Sequence, residues 1–162
     1  MRVENVAAPH EGAGPAPPLL GWSCSRRFQA RPDVVSTELV GLNQTLVQLG
    51  LPIEPLFTLE LVLAEVLNNI VEHAYGDTGQ GMIGMSMVVR EHRITCEVTD
   101  RGAPMPNGRL PPPRRHDPEA LGLQDLPEGG FGWGLIHDMT TALDYSRAQG
   151  TNRLCFGIDL ET

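Results

Sequence analysis

The sequence predicts an α+β fold, a two-layer α/β sandwich in which a mixed, mostly antiparallel sheet carries helices on one face. Three observations predict it. Two segments with apolar residues at three-and-four spacing, 33–49 and 55–75, follow one another with no strand between them. Two strand-like segments come next, Met82–Arg90 and Arg93–Thr99, separated by only two residues, which is hairpin spacing. A second such pair, Leu143–Arg147 and Arg153–Leu160, closes the chain. Strands grouped with strands and helices with helices build a sheet covered on one side.

Each element has its own justification. Residues 1–21 are rich in Pro, Ala and Gly without periodicity and read as a disordered tail, so the domain is expected over 22–162. Trp22–Ala30 alternates loosely and suits an edge strand. Pro32-Asp33 opens the first helix, whose apolar positions are Val35, Leu39, Leu42, Leu46 and Leu49, and Gly50 stops it. Pro52 and Pro55 turn the chain into the second helix, which Gly76-Asp77 and Gly79 end. Glu91-His92 joins the first strand pair, although such turns favour Gly or Asn. From Pro104 to Gly130, seven prolines forbid a long helix or a central strand, and a loop of this length suits a lid. Arg109, Arg114 and Arg115 within it fit either an anion contact or a solvated charge cluster. Residues 129–134, GGFGWG, lead into a short helix at Leu135–Met139, and Gln149–Asn152 forms the last turn.

Composition narrows the function. The chain has 162 residues, 41% of them hydrophobic, enough for one domain with a real core. A net charge of −8 argues against nucleic acid as a partner. All 12 basic residues are Arg, so neither the phosphate Lys of a Walker A loop nor the strand Lys of a eukaryotic-type protein kinase exists here, and Schiff-base chemistry is excluded. Cys24, Cys96 and Cys155 form no CxxC and are expected as buried free thiols in strands. No HExxH or GxSxG is present. No apolar run reaches the roughly 20 residues of a membrane span, and the N-terminus lacks the apolar core of a signal peptide, so a cytoplasmic protein is expected.

The second helix is the most informative stretch. Leu59, Val62, Leu63, Val66, Leu67, Ile70, Val71 and Ala74 make one apolar side. Glu65, Asn69 and His73 stack four residues apart on the other. A solvated polar face is the ordinary reading of such a ridge, but Asn is a poor interior helix former, so the adjacent pair Asn68-Asn69 needs a reason. Two later features are candidates for the same site. Asp100-x-Gly102 at a strand end combines an acceptor with a glycine that permits close backbone approach. The glycines before the third helix suit a phosphate at a helix N-terminus.

Taken in order, these motifs resemble the Bergerat-fold ATPases of the GHKL superfamily, and within them the bacterial serine-protein kinase anti-sigma factors. EVLNNIVEHAY is similar to their N box, DRGAP to their first glycine box and EGGFGWGLIHDM to their second. ALDYSRAQGTNRLCFGIDL is similar to their ending. The resemblance spans about 22–160. It implies that Asn69 ligates Mg²⁺, that Glu65 is the general base, and that Asp100 accepts from the adenine amino group with Gly102 letting the base approach. Pro104 stands where many ATPases of this fold have Gly, as in the anti-sigma branch. Gly129, Gly130, Gly132 and Gly134, with Leu135, would wrap the phosphates beneath the lid at 104–130. His73 and Thr151 match positions near the nucleotide, with a surface role the alternative for His73. Phe131 and Trp133 add aromatic bulk between the glycines, and with no Lys the positive clamp would come from Arg, Mg²⁺ or backbone amides.

The implied function is an ATP- and Mg²⁺-dependent protein serine/threonine kinase and anti-sigma factor of a partner-switching system. It would act on a STAS-domain anti-anti-sigma protein, possess a sigma factor as a second partner and form a homodimer, with no nucleic acid or membrane partner. Two alternatives stand beside it: an ATP-binding regulator that acts only by sequestering its partner, and a detached histidine-kinase catalytic domain. The second is disfavoured because no phosphoacceptor helix precedes residue 33.

Overall fold

A computed structural model describes residues 21–76, 78–112 and 131–160. Five strands form one sheet: β1 (Ser23–Gln29), β2 (Met82–Arg90), β3 (Arg93–Asp100), β4 (Thr141–Ala148) and β5 (Thr151–Asp159), in the order β1-β2-β3-β5-β4. Every pairing is antiparallel, so the expected mixed sheet is antiparallel throughout. The neighbours β1 and β2 are joined through two helices, α1 and α2, which return the chain antiparallel.

Three helices pack on one face: α1 (Pro32–Gln48), α2 (Ile53–Asn69) and α3 (Phe131–Met139). Period-two alternation explains the sheet's two sides. On β2, Ile83, Met85, Met87 and Val89 are buried, and on β3 Ile94, Cys96 and Val98 lie in register with them. Phe156 and Ile158 of β5 continue the same layer. The helices close it with Val35, Leu42 and Leu46 from α1 and Leu59, Val62, Leu63, Val66 and Leu67 from α2. Side chains of this kind contribute about 1.5–3 kcal/mol each when fully buried, which makes this layer the main source of stability. Asn43 Nδ2 donates to Glu60 Oε2 at 2.8 Å across the two helices, and Arg26 pairs with Glu38 at 3.0 Å between β1 and α1.

The second helix departs from its expected form. It starts at Ile53, because Pro55 falls in the first turn, where no intrahelical N–H is needed. Its α-helical part ends at Asn69, and Ile70–Ala74 form a π turn closed by Tyr75 N–H donating to Ile70 O at 3.1 Å. The wider turn leaves the Ala74 carbonyl to accept from Ala103 N–H at 2.8 Å, which ties the helix end to the segment after β3. Tyr75 fastens the same junction. Its hydroxyl donates to Met82 O at 3.0 Å and accepts from Arg101 N–H at 2.9 Å, while its ring covers Gly81, where no Cβ fits.

The last turn is shorter than expected. Gln149 and Gly150, with φ of 50° and 75°, form it alone, as a two-residue hairpin turn requires, and Thr151 and Asn152 belong to β5. The third helix begins earlier than Leu135, at Phe131. The three cysteines are free. Cys96 is buried and Cys24 and Cys155 are half-buried. Burial raises the pKa of all three thiols, which keeps them neutral and unreactive. The expected tail lies outside the described residues except Gly21, and so does the lid from 113 to 130. No described helix is long and apolar enough to cross a membrane.

Candidate functional site

The buried layer of the sheet ends in a polar pair. Beyond Val98 and Leu154, the next residues on the same face are Asp100 and Asn152, which oppose each other across β3 and β5. Among the described residues they are the buried polar ones, at 6% and 5% exposure. A cavity of about 400 Å³ opens above them, within the ordinary range for small-molecule sites. Val66, Ile70, Ala74, Val98, Met105, Trp133 and Leu154 supply apolar walls, and Asn69, His73, Asp100, Tyr145 and Asn152 supply polar groups.

Asp100 Oδ1 accepts from Gly102 N–H and from Asn152 Nδ2, each at 2.8 Å. Burial pushes its carboxyl above the ordinary range, opposed by those two hydrogen bonds and by the nearby Arg147 charge. Among the described residues no donor reaches Oδ2, so the second oxygen is an acceptor for whatever enters the cavity. Gly102 is irreplaceable for a packing reason: a Cβ there would overlap the Ala74 carbonyl. Pro104 lines the cavity on the segment that follows.

The α2 ridge divides. Asn69 and His73 line the cavity, whereas Glu65 does not. The Glu65 carboxylate lies against Gly132 near the start of α3, where a Cβ would overlap Oε2. Asn69 Nδ2 is buried without a hydrogen-bond partner, an expensive condition for an amide. It leaves a donor unsatisfied by any described residue on a side chain that lines the cavity. Asn68 is exposed and nothing in the structure explains it. His73 is exposed beside Glu72 at 3.9 Å, so it combines the cavity rim with the surface role.

The glycine-rich stretch is only partly described. Gly129 and Gly130 lie outside the described residues. Gly134 has nothing where its Cβ would be, and Leu135 packs against the core while Trp133 reaches the cavity. His137 Nε2 donates to Pro111 O at 2.7 Å, which joins α3 to the loop after β3. Arg109 is exposed, and Arg114 and Arg115 are outside the described residues. Thr151 is not in the cavity wall. It opposes Ala148 on the sheet's other face, and the neighbour of opposite parity, Asn152, takes the inward place. Tyr145, Arg147 and Asn152 are the residues that sequence reasoning missed, and strand parity was the signal that would have found Asn152.

An acceptor carboxylate at the base of an apolar slot, beneath a helix that offers an unpartnered carboxamide, suits a flat heterocycle carrying a donor and a polar tail. Fold and site together define a nucleotide-binding α+β sandwich. The chain belongs to the histidine kinase-like ATPase domain family, whose model matches residues 28–158, and the nucleotide of such a domain is ATP.

Named relatives agree on the family. The serine/threonine-protein kinase BtrW of Bordetella bronchiseptica is 34% identical over 60% of this chain and 66% of its own length, just under two thirds. The serine-protein kinase RsbW of Oceanobacillus iheyensis is 28% identical over 68% of this chain and 70% of its own. The anti-sigma F factor of Bacillus licheniformis is 25% identical over 77% and 84% respectively.

Proposed function

We propose that this protein is an ATP-dependent serine/threonine kinase and anti-sigma factor of a partner-switching system, acting on a STAS-domain anti-anti-sigma protein. The names of its relatives support the class, and one observation carries the chemistry. Glu65 and Asn69 sit one helical turn apart, Asn69 with a buried, unpartnered amide in the cavity wall and Glu65 at the edge of α3. An ATP-binding module without chemistry has no need of that carboxylate. The serine Oγ would attack the γ-phosphorus as the bond to the β–γ bridging oxygen breaks and ADP leaves. Glu65 would take the serine proton as general base.

The residues present fit a Mg²⁺ ion shared with the nucleotide. Among the described residues, no group of three or more His, Cys, Asp or Glu could hold a metal. Mg²⁺ ordinarily takes one or two protein oxygens and leaves the rest to phosphates and water. Asn69 would hold it, and it would supply charge neutralisation at the phosphates. Asp100 would accept from the adenine amino group, held by Gly102 N–H, with His73 and Pro104 in the cavity wall. Gly129, Gly130, Gly132, Gly134 and Leu135 would lie toward the phosphates, and Thr151 one residue from the wall. A homodimer, a sigma factor as second partner and a cytoplasmic location complete the proposal.

The test is to incubate the protein with Mg-ATP and the STAS protein encoded nearby, then follow phosphate onto a Ser or Thr. Wild type transfers and Glu65→Gln does not. Full transfer by Glu65→Gln, or none by wild type, would sink the kinase. A second reading, ATP-gated sequestration without transfer, is favoured by Glu65 lying outside the cavity wall. It expects nucleotide binding and partner capture with no phosphorylated product.

A further inference from the structure

Asn152 is the junction of a polar network, and two of its partners, the Arg147 guanidinium and the Ala103 carbonyl, each leave it only one orientation. Arg147 Nη1, a group that can only donate, stands 2.6 Å from Oδ1. With the oxygen so placed, the Tyr145 hydroxyl, which receives Met105 N–H at 3.1 Å, donates its own proton to the same Oδ1 at 2.7 Å. At the other end, Nδ2 donates to Ala103 O at 3.0 Å, which can only accept, and to Asp100 Oδ1 at 2.8 Å. Both lone pairs and both protons of the carboxamide are used. With Arg147 absent, one of the two groups that hold the oxygen on that side is gone.

The orientation matters because of what it demands from Asp100. An Asn152 that donates, with Gly102 N–H donating to the same oxygen, favours the ionised carboxylate, in which Oδ2 can only accept. An Asn152 turned the other way would present its oxygen to Asp100 and require a proton there. Burial already favours that proton, with Arg147 among the groups that oppose it. Arg147 does not line the cavity and acts on a ligand indirectly, through Asn152 and through Gly102, whose carbonyl accepts from the same Nη1 at 2.9 Å and whose N–H holds Asp100.

We propose that Arg147 is a positioning residue that fixes the polarity of Asn152 and Asp100, and through them selects a purine bearing an exocyclic amine over one bearing a carbonyl. The proposal rests on the assignment of the cavity to ATP. An acceptor-only Asp100 receives the amine of adenine and repels the carbonyl oxygen of hypoxanthine. Other ionisable groups facing the cavity among the described residues are His73 from the π turn and Tyr145 from β4, with Arg101 adjoining Asp100 in sequence. They are unchanged in the variants of Arg147.

Binding of ATP and of inosine triphosphate to the full chain, with Mg²⁺, is measured from acid to neutral pH. Wild type prefers ATP. Arg147→Met shrinks that preference by on the order of tenfold, the value of a hydrogen bond to a charged group. It also moves the loss of ATP binding on acidification to higher pH, because Asp100 without the guanidinium protonates earlier. Arg147→Lys recovers part of both effects. A merely structural role would lower both nucleotides alike and leave the pH midpoint in place, and that result overturns the proposal. Should Arg147→Met not fold, Tyr145→Phe removes the other donor to Asn152 Oδ1 and is judged by the same ratio. Failure of wild type to bind ATP overturns the cavity assignment together with the relay, whereas ATP binding indifferent to both variants overturns the relay alone.

Discussion

Replacing Gly132 by Ala separates the proposed base from the fold. The new Cβ would overlap Glu65 Oε2, with Glu65 Cδ next at 3.3 Å. The obstacle is the tip of a flexible side chain, so the carboxylate gives way and the backbone stays. Forcing Glu65 toward a poor rotamer costs about 0.5–1.5 kcal/mol. Alanine within a helix recovers about 0.5–1 kcal/mol over glycine. The two nearly cancel, and the melting temperature should move by no more than about 4 °C. General-base catalysis contributes roughly 10²–10⁴-fold, so phosphate transfer to the STAS partner should fall by about 100-fold or more. ATP affinity, set at Asp100 on the far side of the cavity, should hold. Transfer kinetics, nucleotide titration and a thermal melt on one preparation give all three numbers. Unchanged transfer in a normally folded variant refutes the role of Glu65, and so does a loss of transfer that the loss of ATP affinity fully accounts for.

Gly102→Ala meets a different obstacle, the Ala74 carbonyl carbon and Cβ at 2.7 Å, which cannot rotate away. It should cost about 1–3 kcal/mol, as overpacking does, and lower the melting temperature by several degrees. Tyr75→Phe loses the bonds to Met82 O and Arg101 N–H and should cost about 1–2 kcal/mol in denaturant unfolding. Leu63→Ala, at 1% exposure in the helix–sheet core, should cost about 2–5 kcal/mol by the same assay. Asp100 is the pH test. Its folded carboxyl holds a proton more tightly than the unfolded one, so its contribution to stability is greatest in acid and is lost as pH rises from the ordinary 3.8 through the raised folded value. ATP affinity should run the opposite way, falling as pH drops through that raised value. Unfolding curves at several pH values should show the stability slope flatten in Asp100→Asn.

The helices and strands were legible because burial imposes period. Every apolar position expected on α2 from Leu59 to Leu67 is buried, and β2 and β3 alternate as their side chains require. Asp100 was singled out through the order of the motifs, since an Asp-x-Gly at a strand end is a weak signal alone. The rest depended on parity or on distant partners. Choosing Thr151 over Asn152 needed the length of the preceding turn, and a turn of two residues in place of four moves both onto the strand. Arg147 looked like one more surface arginine, since nothing local to it announces that its guanidinium reaches Gly102 O and Asn152. The π turn has no periodic signature of its own. It follows from what the end of α2 must touch, above all Ala103, which lies 29 residues beyond Ala74 in the chain.

Glu65 and Asn69 share a ridge in sequence but not a neighbour in space, and this division bears on the proposed chemistry. Asn69 faces a cavity deep enough to bury its amide, while Glu65, one turn earlier, faces the first turn of α3. α3 is itself held to the loop after β3 by His137 and Pro111. The carboxylate that would take the serine proton thus borders α3, whereas Asn69, which would hold Mg²⁺, lines the cavity proposed for adenine. A shift of α3 would uncover Glu65 and move the Trp133 wall, but would leave the Asp100–Asn152 hydrogen bond between β3 and β5 in place. ATP binding and phosphate transfer are therefore separable in this fold. A His137→Ala variant, which releases α3 from Pro111, should change the rate of transfer more than the affinity for ATP; equal changes in both would show that α3 and the adenine slot move as one.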